Sequence, residues 1–172
     1  MKKFVYILSI IGYTSFLLWG GYRYYKNIHF GFQCERFLNR SADASTIEDA
    51  SIYLATAIDY CENHDLMSGS TSIIYPTDDD NIGIWYRRLK TSFTFLNSVP
   101  SNALPKEKII ALKKLRTVLV ITDDTGRTKL ICPEGISIYP YNREYLVWVI
   151  ISSILILVSE YILSGYKEDE EK

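Results

Sequence analysis

An acidic run in the middle of the chain, DDDN at residues 78–81, has the residue types that could hold a divalent cation, because hard metal ions prefer clustered oxygen ligands. An EF-hand loop beginning at Asp78 would place Gly83 correctly at its sixth position, but it would place Leu89 where the twelfth position needs glutamate. Short acidic and amide side chains also cap helices and face the positive end of the helix dipole. We therefore predict that the run caps a helix and that no metal site lies here.

Histidines and cysteines are the side chains that could supply a base or a nucleophile. His29 and His64 are far apart in the sequence, and nothing in the pattern pairs either of them with a candidate nucleophile. The 3 cysteines show neither a CxxC motif nor the Cys/His spacing of a zinc site. We therefore predict no catalytic residue, no metal ligand and no cofactor, which favours a non-enzymatic protein.

Two of the cysteines, Cys34 and Cys61, fall on adjacent predicted helices. A simple hairpin of these helices folded near Ala44 would place Cys34 opposite about Leu54, two turns short of Cys61. A disulfide needs Cα atoms within roughly 7 Å of each other, so a bridge would require the helices to pack with an offset. We expect buried free thiols, with a Cys34–Cys61 disulfide as the alternative.

A second group of side chains could contact a ligand. Trp85, Tyr86, Arg87 and Arg88 follow one another, and such a group can bind an anionic or aromatic molecule by stacking and cation–π contact. The two rings also fit the apolar stripe of an amphipathic helix, and the two arginines fit its solvated face. The sequence leaves both interpretations open, so we keep these residues as candidate ligand or anion contacts.

Apolar segments near both ends of the chain predict two transmembrane helices. Residues 4–22 carry no charge, and residues 145–163 carry one acid, Glu160. At 1.5 Å per residue, each segment spans the roughly 30 Å hydrocarbon core of a bilayer. The first could instead be a cleavable signal peptide, but bulky rings follow it where small residues would mark a cleavage site. Glu160 lies near the helix end, where its carboxylate can reach headgroup water.

Aromatic residues and charges indicate how these spans would sit in a membrane. Tryptophan and tyrosine close the first span and open the second, as expected where both helices meet the same bilayer surface. Lys2 and Lys3 lie on one side of the spans, and Arg23, Lys26 and Arg143 lie on the other, so the positive-inside rule gives nearly a tie. The basic start before an anchor favours a cytoplasmic N-terminus. We therefore predict a basic tail at 1–3 and a charged tail at 164–172, both cytoplasmic, and a domain at 23–144 on the outer face.

The residues between the spans have the pattern of a water-exposed helical domain. Apolar residues recur at helical spacing in four segments, Tyr24–Arg40, Ile47–Asn63, Asn81–Val99 and Pro105–Ile121. Ser45 and Glu48 form a capping box before the second of these. Residues 129–142, with two prolines and a glycine, predict an extended connector. The predicted fold class is mainly α, with two transmembrane helices flanking an antiparallel helical bundle.

A long loop between the second and third helices of the bundle is the place where we expect binding. Gly69, Pro76 and a run of serine and threonine oppose helix formation, and the patch TSIIY at 71–75 favours an extended strand. Loops on a rigid scaffold often carry binding, and a partner could add a strand to such a patch. The candidate partner-binding residues are Ser68, Gly69, Thr71, Ile73, Ile74 and Tyr75.

The segment Ser68–Lys90, SGSTSIIYPTDDDNIGIWYRRLK, resembles a family of small uncharacterised bacterial membrane proteins. Members of that family commonly show a segment like SGxTSxxYxTxDxDxGxWYxxLK between two terminal spans. Arg40–Thr46 and Pro133–Asn142 fit the same family. Pro76 departs from it where a basic residue is usual, and Leu104 departs from it where a threonine cap is usual. The resemblance implies a location in the bacterial inner membrane and implies no activity.

Together these features favour a membrane-anchored interaction or scaffold module of the bacterial envelope. The alternatives are a small-ligand-binding sensor domain and, third, a membrane-bound hydrolase. The expected partners are the lipid bilayer and another membrane or envelope protein, with a second copy of the chain as a further candidate. A formal net charge of −1 gives no strong overall field toward nucleic acid, and an outer location would exclude it.

Overall fold

The structure, a computed structural model, describes residues 2–123 and 126–168, without the side chains of residues 167 and 168. The fold is mainly helical. Residues up to 26 together with residues from 141 form one compact unit, called unit 1, and residues 27–140 form unit 2. In chain order the elements are α1 (Lys2–Phe30), a π-helical turn (Gly31–Glu35), α2 (Arg36–Ala42), α3 (Ile47–Asn63), α4 (Ile82–Ser98), α5 (Pro105–Leu119), β1 (Val120–Thr122), β2 (Thr128–Leu130), a 3-10 turn (Ile136–Ile138) and α6 (Asn142–Glu168).

The terminal helices are longer than the apolar segments that predict them. Helix α1 already includes residues 2 and 3, and α6 continues through the first part of the predicted charged tail to Glu168. Residues 1 and 169–172 of the predicted tails, and residues 124 and 125 of the turn after α5, lie outside the described residues.

Unit 1 consists of the first part of α1 packed along α6. The Ser15 and Ser152 hydroxyl oxygens lie 2.9 Å apart, and a Cβ added at Gly12 would lie 2.9 Å from Ile156 Cγ1. Because lower numbers on α1 meet higher numbers on α6, the two helices run in opposite directions. The Glu160 carboxylate accepts hydrogen bonds from the hydroxyls of two α1 residues, Ser9 at 3.2 Å and Tyr13 at 3.4 Å.

Two helical segments, 2–42 and 142–166, are long and apolar enough to cross a membrane by length and composition, with mean hydropathies of 1.5 and 2.3. Most of their apolar side chains in unit 1 are exposed, including Leu17 at 73% and Leu157 at 69%. This exposure distinguishes them from the helices of unit 2, whose apolar faces are buried together.

Unit 2 begins with a helical segment in which the π-helical turn joins α1 to α2. Phe30, Cys34 and Leu38 are all buried, although they follow one another at intervals of four residues. An α-helix turns by about 100° per residue, so Leu38 would lie about 80° away from Phe30 around a regular helix axis. The wider π-turn takes up this excess, and the three side chains therefore face one core.

Helices α2 and α3 form an antiparallel pair. The Ser41 hydroxyl donates to the Ala50 carbonyl at 2.7 Å, so the pair folds about residues 45 and 46. The Cys34 Sγ atom lies 4.0 Å from the Cys61 Sγ atom, and both thiols are free and buried. The prediction that Cys34 lies opposite Leu54 is wrong. The chain turns back further along than Ala44, so Cys34 lies beside a later turn of α3 than the one that contains Leu54.

Helices α4 and α5 complete the packing of unit 2. On α4, Asn97 accepts a hydrogen bond from Ser51 at 2.7 Å, and Lys90 pairs with Glu62 at 2.6 Å, so α4 runs antiparallel to α3. The core that these helices share with α2 contains fully or nearly fully buried side chains, among them Leu38, Leu54, Ile58, Ile82, Trp85, Leu89, Leu96, Leu115 and Leu119.

A short β-hairpin replaces the end of the predicted fourth helix and the start of the predicted connector. Helix α5 ends at Leu119, and Val120, Ile121 and Thr122 pair antiparallel with Leu130, Lys129 and Thr128. These three residues of β1 are β-branched and lose side-chain freedom in a helix, whereas a strand accommodates them. Helical periodicity alone does not reveal this, since Leu119 and Val120 continue the apolar stripe.

The helix caps differ from the predicted ones by one or a few residues. Thr46, not Ser45, is the N-cap of α3, and its hydroxyl accepts from the Asp49 amide at 3.1 Å. Asn81 alone caps α4, accepting from the Ile84 amide at 3.0 Å. The prediction that the run at 78–81 caps this helix therefore holds for Asn81, whereas the Asp80 carboxylate bonds to Thr77 in the loop before the helix.

Candidate functional site

The predicted binding loop has a stem of backbone hydrogen bonds. Thr71 N–H donates to the Asp80 carbonyl and Ile82 N–H donates to the Gly69 carbonyl, each at 3.0 Å. Ser70 and Asn81 form an isolated antiparallel bridge between these bonds. The residues that enter and leave the loop are therefore held side by side, and the loop leads directly into the first turn of α4.

Gly69 fixes the base of this loop against the segment that follows the hairpin. Its φ of +104° is one that residues with a side chain rarely adopt. A Cβ at this position would overlap the Tyr139 hydroxyl and lie 2.8 Å from Tyr139 Cζ. Glycine is therefore required here for two independent reasons, backbone conformation and the close approach of the tyrosine ring.

The tip of the loop is closed by polar side chains. Ser72 Oγ donates to the Tyr75 carbonyl at 2.8 Å. The Asp80 carboxylate accepts from the Thr77 hydroxyl at 2.6 Å and from the Thr77 amide at 3.3 Å. These bonds give residues 72–80 a defined turn, to which the acidic run contributes the Asp80 carboxylate.

The apolar side chains at the tip point away from the core. Ile73, Ile74 and Tyr75 are 44%, 73% and 82% exposed, whereas Thr71 at the stem is 4% exposed. Since residues 73–75 lie in a bend and Thr71 already pairs with Asp80, the geometry does not offer the extended edge that strand addition by a partner needs. It offers three exposed apolar side chains on a loop that is held in place by hydrogen bonds.

The structure places the rings and the arginines of the second predicted group, residues 85–88, in different surroundings. Trp85 is buried and its indole N–H donates to the Ile131 carbonyl at 2.9 Å. The Tyr86 hydroxyl donates to Glu62 at 2.5 Å. The Lys90 ammonium and the Tyr86 hydroxyl lower the pKa of the Glu62 carboxyl. Both rings are thus engaged within unit 2, and the prediction of a stacking platform beside the arginines is not supported.

The two arginines of that group do line a cleft, together with a residue that the sequence analysis did not select. Arg87 and Arg88 lie along one side of a cleft of about 640 Å³ between α4 and α5, and Lys114 lies on the other side. The sequence signal for Lys114 was present, as one of several lysines on α5, but nothing in the sequence distinguished it from its neighbours.

The structure brings the two histidines together, which the sequence did not predict. The His64 ring stacks on Tyr60 with centroids 4.0 Å apart, and His29 Nδ1 lies 3.5 Å from the Tyr60 hydroxyl. Burial raises the pKa of Tyr60 to about 12. The ring stacking and the short contact between His29 and Tyr60 pack the end of α1 against the end of α3.

The protonated form is also favoured for two of the thiols, those of Cys34 and Cys132. A hydrogen bond with Cys61, followed by burial, raises the pKa of the Cys34 thiol far above its usual range. Burial raises the pKa of Cys132 to about 11, with the nearby Glu35 carboxylate adding to the effect. Because the thiolate is the reactive form, these cysteines are poor nucleophiles in the folded protein. Among the described residues, no group of three or more His, Cys, Asp or Glu side chains is placed to hold a metal ion.

Comparison of the chain with protein-family models, with curated proteins and with solved structures finds no match.

Proposed function

We propose that this chain is a membrane-anchored interaction module of the bacterial envelope, in which unit 2 contacts another membrane or envelope protein through the tip at Ile73, Ile74 and Tyr75. The observation that carries the proposal is the combination of a rigid stem with an exposed apolar tip. Exposed apolar groups on an ordered loop gain free energy when a partner buries them. The polar bonds that close the loop keep the tip from folding back onto unit 2.

The size of this gain indicates what kind of complex the tip can form. Fully burying an exposed side chain of this size contributes about 1.5–3 kcal/mol, and these three are 44%, 73% and 82% exposed, so the tip contributes roughly 3–6 kcal/mol before the cost of association. That cost is about 4 kcal/mol or more, so the tip alone supports a weak and reversible complex. Confinement of both proteins to one membrane raises their effective concentration, and a weak contact is sufficient there.

The two apolar helices support the anchor in this proposal. In the arrangement we propose, they cross the inner membrane, flank the antiparallel helical bundle of unit 2, and leave both termini in the cytoplasm. The basic residues Lys2 and Lys3 before the first span favour this orientation, and the resemblance of residues 68–90 to a bacterial membrane-protein family favours this membrane.

The orientation is tested with a single labelling site in unit 2. In a variant whose native cysteines are replaced by serine, Asn102→Cys on an exposed turn should react with a membrane-impermeant maleimide in intact spheroplasts. A cysteine added after residue 172 should react only after the membrane is permeabilised. The reverse pattern would place unit 2 in the cytoplasm and overturn the proposed location.

The interaction is tested by crosslinking the tagged full chain in its native membrane and identifying what co-purifies in mild detergent. Replacing Ile73 and Ile74 by serine should abolish capture of a stoichiometric partner. The matched control is Ile109→Ser with Ile110→Ser, another adjacent pair of exposed isoleucines, at 54% each, on α5.

Each outcome of this experiment bears on the proposal. Loss of the partner with the tip variant and its retention with the control would support the tip as the contact, and capture of a second copy would identify a homo-oligomer. Equal loss with both variants, or loss accompanied by a lower melting temperature of the tip variant, would contradict it.

A further inference from the structure

The cleft between α4 and α5 is separate from the loop tip and has its own chemistry. Helix α4 lines it with residues at helical spacing, including Ile84, Arg88 and Phe95, and α5 lines it with residues that include Lys114 and Val118. Ile131, after the β-hairpin, also lines the cleft. At about 640 Å³, the cleft is within the range of small-molecule sites.

The charged groups around this cleft are all positive. Arg87, Arg88 and Lys114 line it, and none of the described residues lining it is acidic. The Arg87 Nε–H donates to the Gly83 carbonyl at 3.2 Å, which leaves its two terminal amino groups for other contacts. Among the described residues, no ion pair joins the Arg88 guanidinium to a carboxylate. The charges that line the cleft are therefore of one sign, although the chain as a whole is nearly neutral.

The walls between these charges are apolar. Ile84, Phe95, Leu115 and Val118 face the cleft, and the Lys114 ammonium lies 4.3 Å from the centroid of the Phe95 ring. This contact keeps a cation at the border between the charged rim and the apolar wall. A solvated basic helix face would not need an apolar wall of this extent, and a site for inorganic phosphate would not use it.

We propose that this cleft binds an amphiphilic anion, a single phosphate or carboxylate head on an apolar chain. The head lies between Arg88 and Lys114, with Arg87 beside them, and the chain lies along Phe95 and Val118. Arginine binds such heads through paired N–H donors, and the apolar wall gives an affinity that increases with chain length. This binding site is independent of the loop tip and of any partner bound there.

The test measures binding of hexyl phosphate to the full chain in nonionic detergent, by calorimetry and by the shift in melting temperature. Binding should tighten about fourfold for each methylene added from ethyl to hexyl phosphate. Arg88→Gln combined with Lys114→Gln should weaken binding of hexyl phosphate at least tenfold. Lys106→Gln combined with Lys113→Gln is the matched control, since it removes the same charge from α5 surfaces outside the cleft, and it should leave binding unchanged.

Equal affinity for inorganic phosphate and hexyl phosphate would reduce the cleft to a simple anion site and overturn the proposal. So would equal affinity for hexanol, an equal loss in the control variant, or no binding at millimolar hexyl phosphate. The melting temperature without ligand, measured for every variant, shows whether a loss of binding reflects unfolding. A nanodisc arm identifies the source of the ligand: competition by anionic but not zwitterionic lipid would assign the head to a membrane lipid, and its absence to a free amphiphile.

Discussion

At the scale of single residues, Gly69 is the position where we expect a small substitution to have a large effect. Gly69→Ala places a methyl group against the Tyr139 ring and forces a side chain onto a backbone with φ of +104°. The backbone cost is about 1–2 kcal/mol, and overpacking adds about 1–3 kcal/mol. We expect the free energy of unfolding of unit 2 to fall by about 3 kcal/mol, measured by chemical denaturation in mild detergent.

Gly126→Ala is the control for this prediction. Gly126 also has a positive φ, +79°, but a Cβ there meets no atom of the described residues within 4 Å. Only the backbone term remains, so we expect a loss of about 1 kcal/mol. Equal losses at the two positions would mean that the contact between Gly69 and Tyr139 contributes nothing.

Cys132 gives the stability of unit 2 a dependence on alkaline pH. Its folded pKa of about 11 lies above its usual value of 9.0. A raised pKa favours the folded state while the thiol is protonated, so this stabilisation is complete below about pH 9 and is lost as the pH rises to about 11. Across that interval we expect the wild type to lose about 2 kcal/mol more than Cys132→Ser. Parallel pH profiles of the two proteins would contradict this.

At the scale of elements, the start of α5 is incompletely capped. The Glu107 carboxylate accepts from the Leu104 amide at 3.1 Å, but Leu104 has no side-chain oxygen to return the bond to the amide of Glu107. Leu104→Thr would complete the reciprocal capping box. Since Leu104 is 65% exposed, little packing is lost. We expect thermal unfolding to show a gain of about 0.5–1 kcal/mol, and Leu104→Ala, which adds no oxygen, to show none.

The helices were predictable from the sequence because each one carries a long apolar stripe. The predicted segments Ile47–Asn63 and Asn81–Val99 differ from α3 and α4 by at most one residue at either end. The β-hairpin at 120–130 was not predicted, because its strands have only three residues each and the first of them extends a helical pattern. The π-turn was also missed, since it is visible only once Phe30 and Leu38 are known to face the same core.

The candidate site was predictable in part, for a similar reason. Glycine, proline and short polar residues marked the loop, and the β-prone residues TSIIY at 71–75 suggested a strand where the structure has a bend. The cleft could not be predicted, because Arg88 and Lys114 come from helices whose relative placement depends on the whole core. Sequence spacing relates residues on one helix and does not relate residues on two.

At the scale of the whole molecule, the contact between α1 and α6 in unit 1 can be tested directly. In a variant without native cysteines, Ser15→Cys and Ser152→Cys should form a disulfide on mild oxidation in membranes, because their hydroxyl oxygens lie 2.9 Å apart. Gly12→Leu should prevent it, since even a Cβ there lies 3.2 Å from the Ile156 backbone nitrogen. The yield is read by gel shift after alkylation.

Gly20→Leu is the control, because a Cβ added at Gly20 would have no atom of another described residue within 4 Å. It should leave the crosslinking yield unchanged. Close packing at small residues is a common way for apolar helices to associate in membranes. Efficient crosslinking with Gly12→Leu would show that the two helices do not depend on this contact.

The hydrogen bond from Trp85 to Ile131 makes the fluorescence of Trp85 a probe of this part of unit 2. An indole ring that is 5% exposed and bonded to a backbone carbonyl emits at shorter wavelength than one in water, and Ile131 is also a wall of the cleft. With Trp19 and Trp148 replaced by phenylalanine, the emission of the remaining tryptophan would follow the attachment of the β-hairpin to α4. A change in the cleft would then be detected as a shift in the wavelength of tryptophan emission, with no label added to the chain.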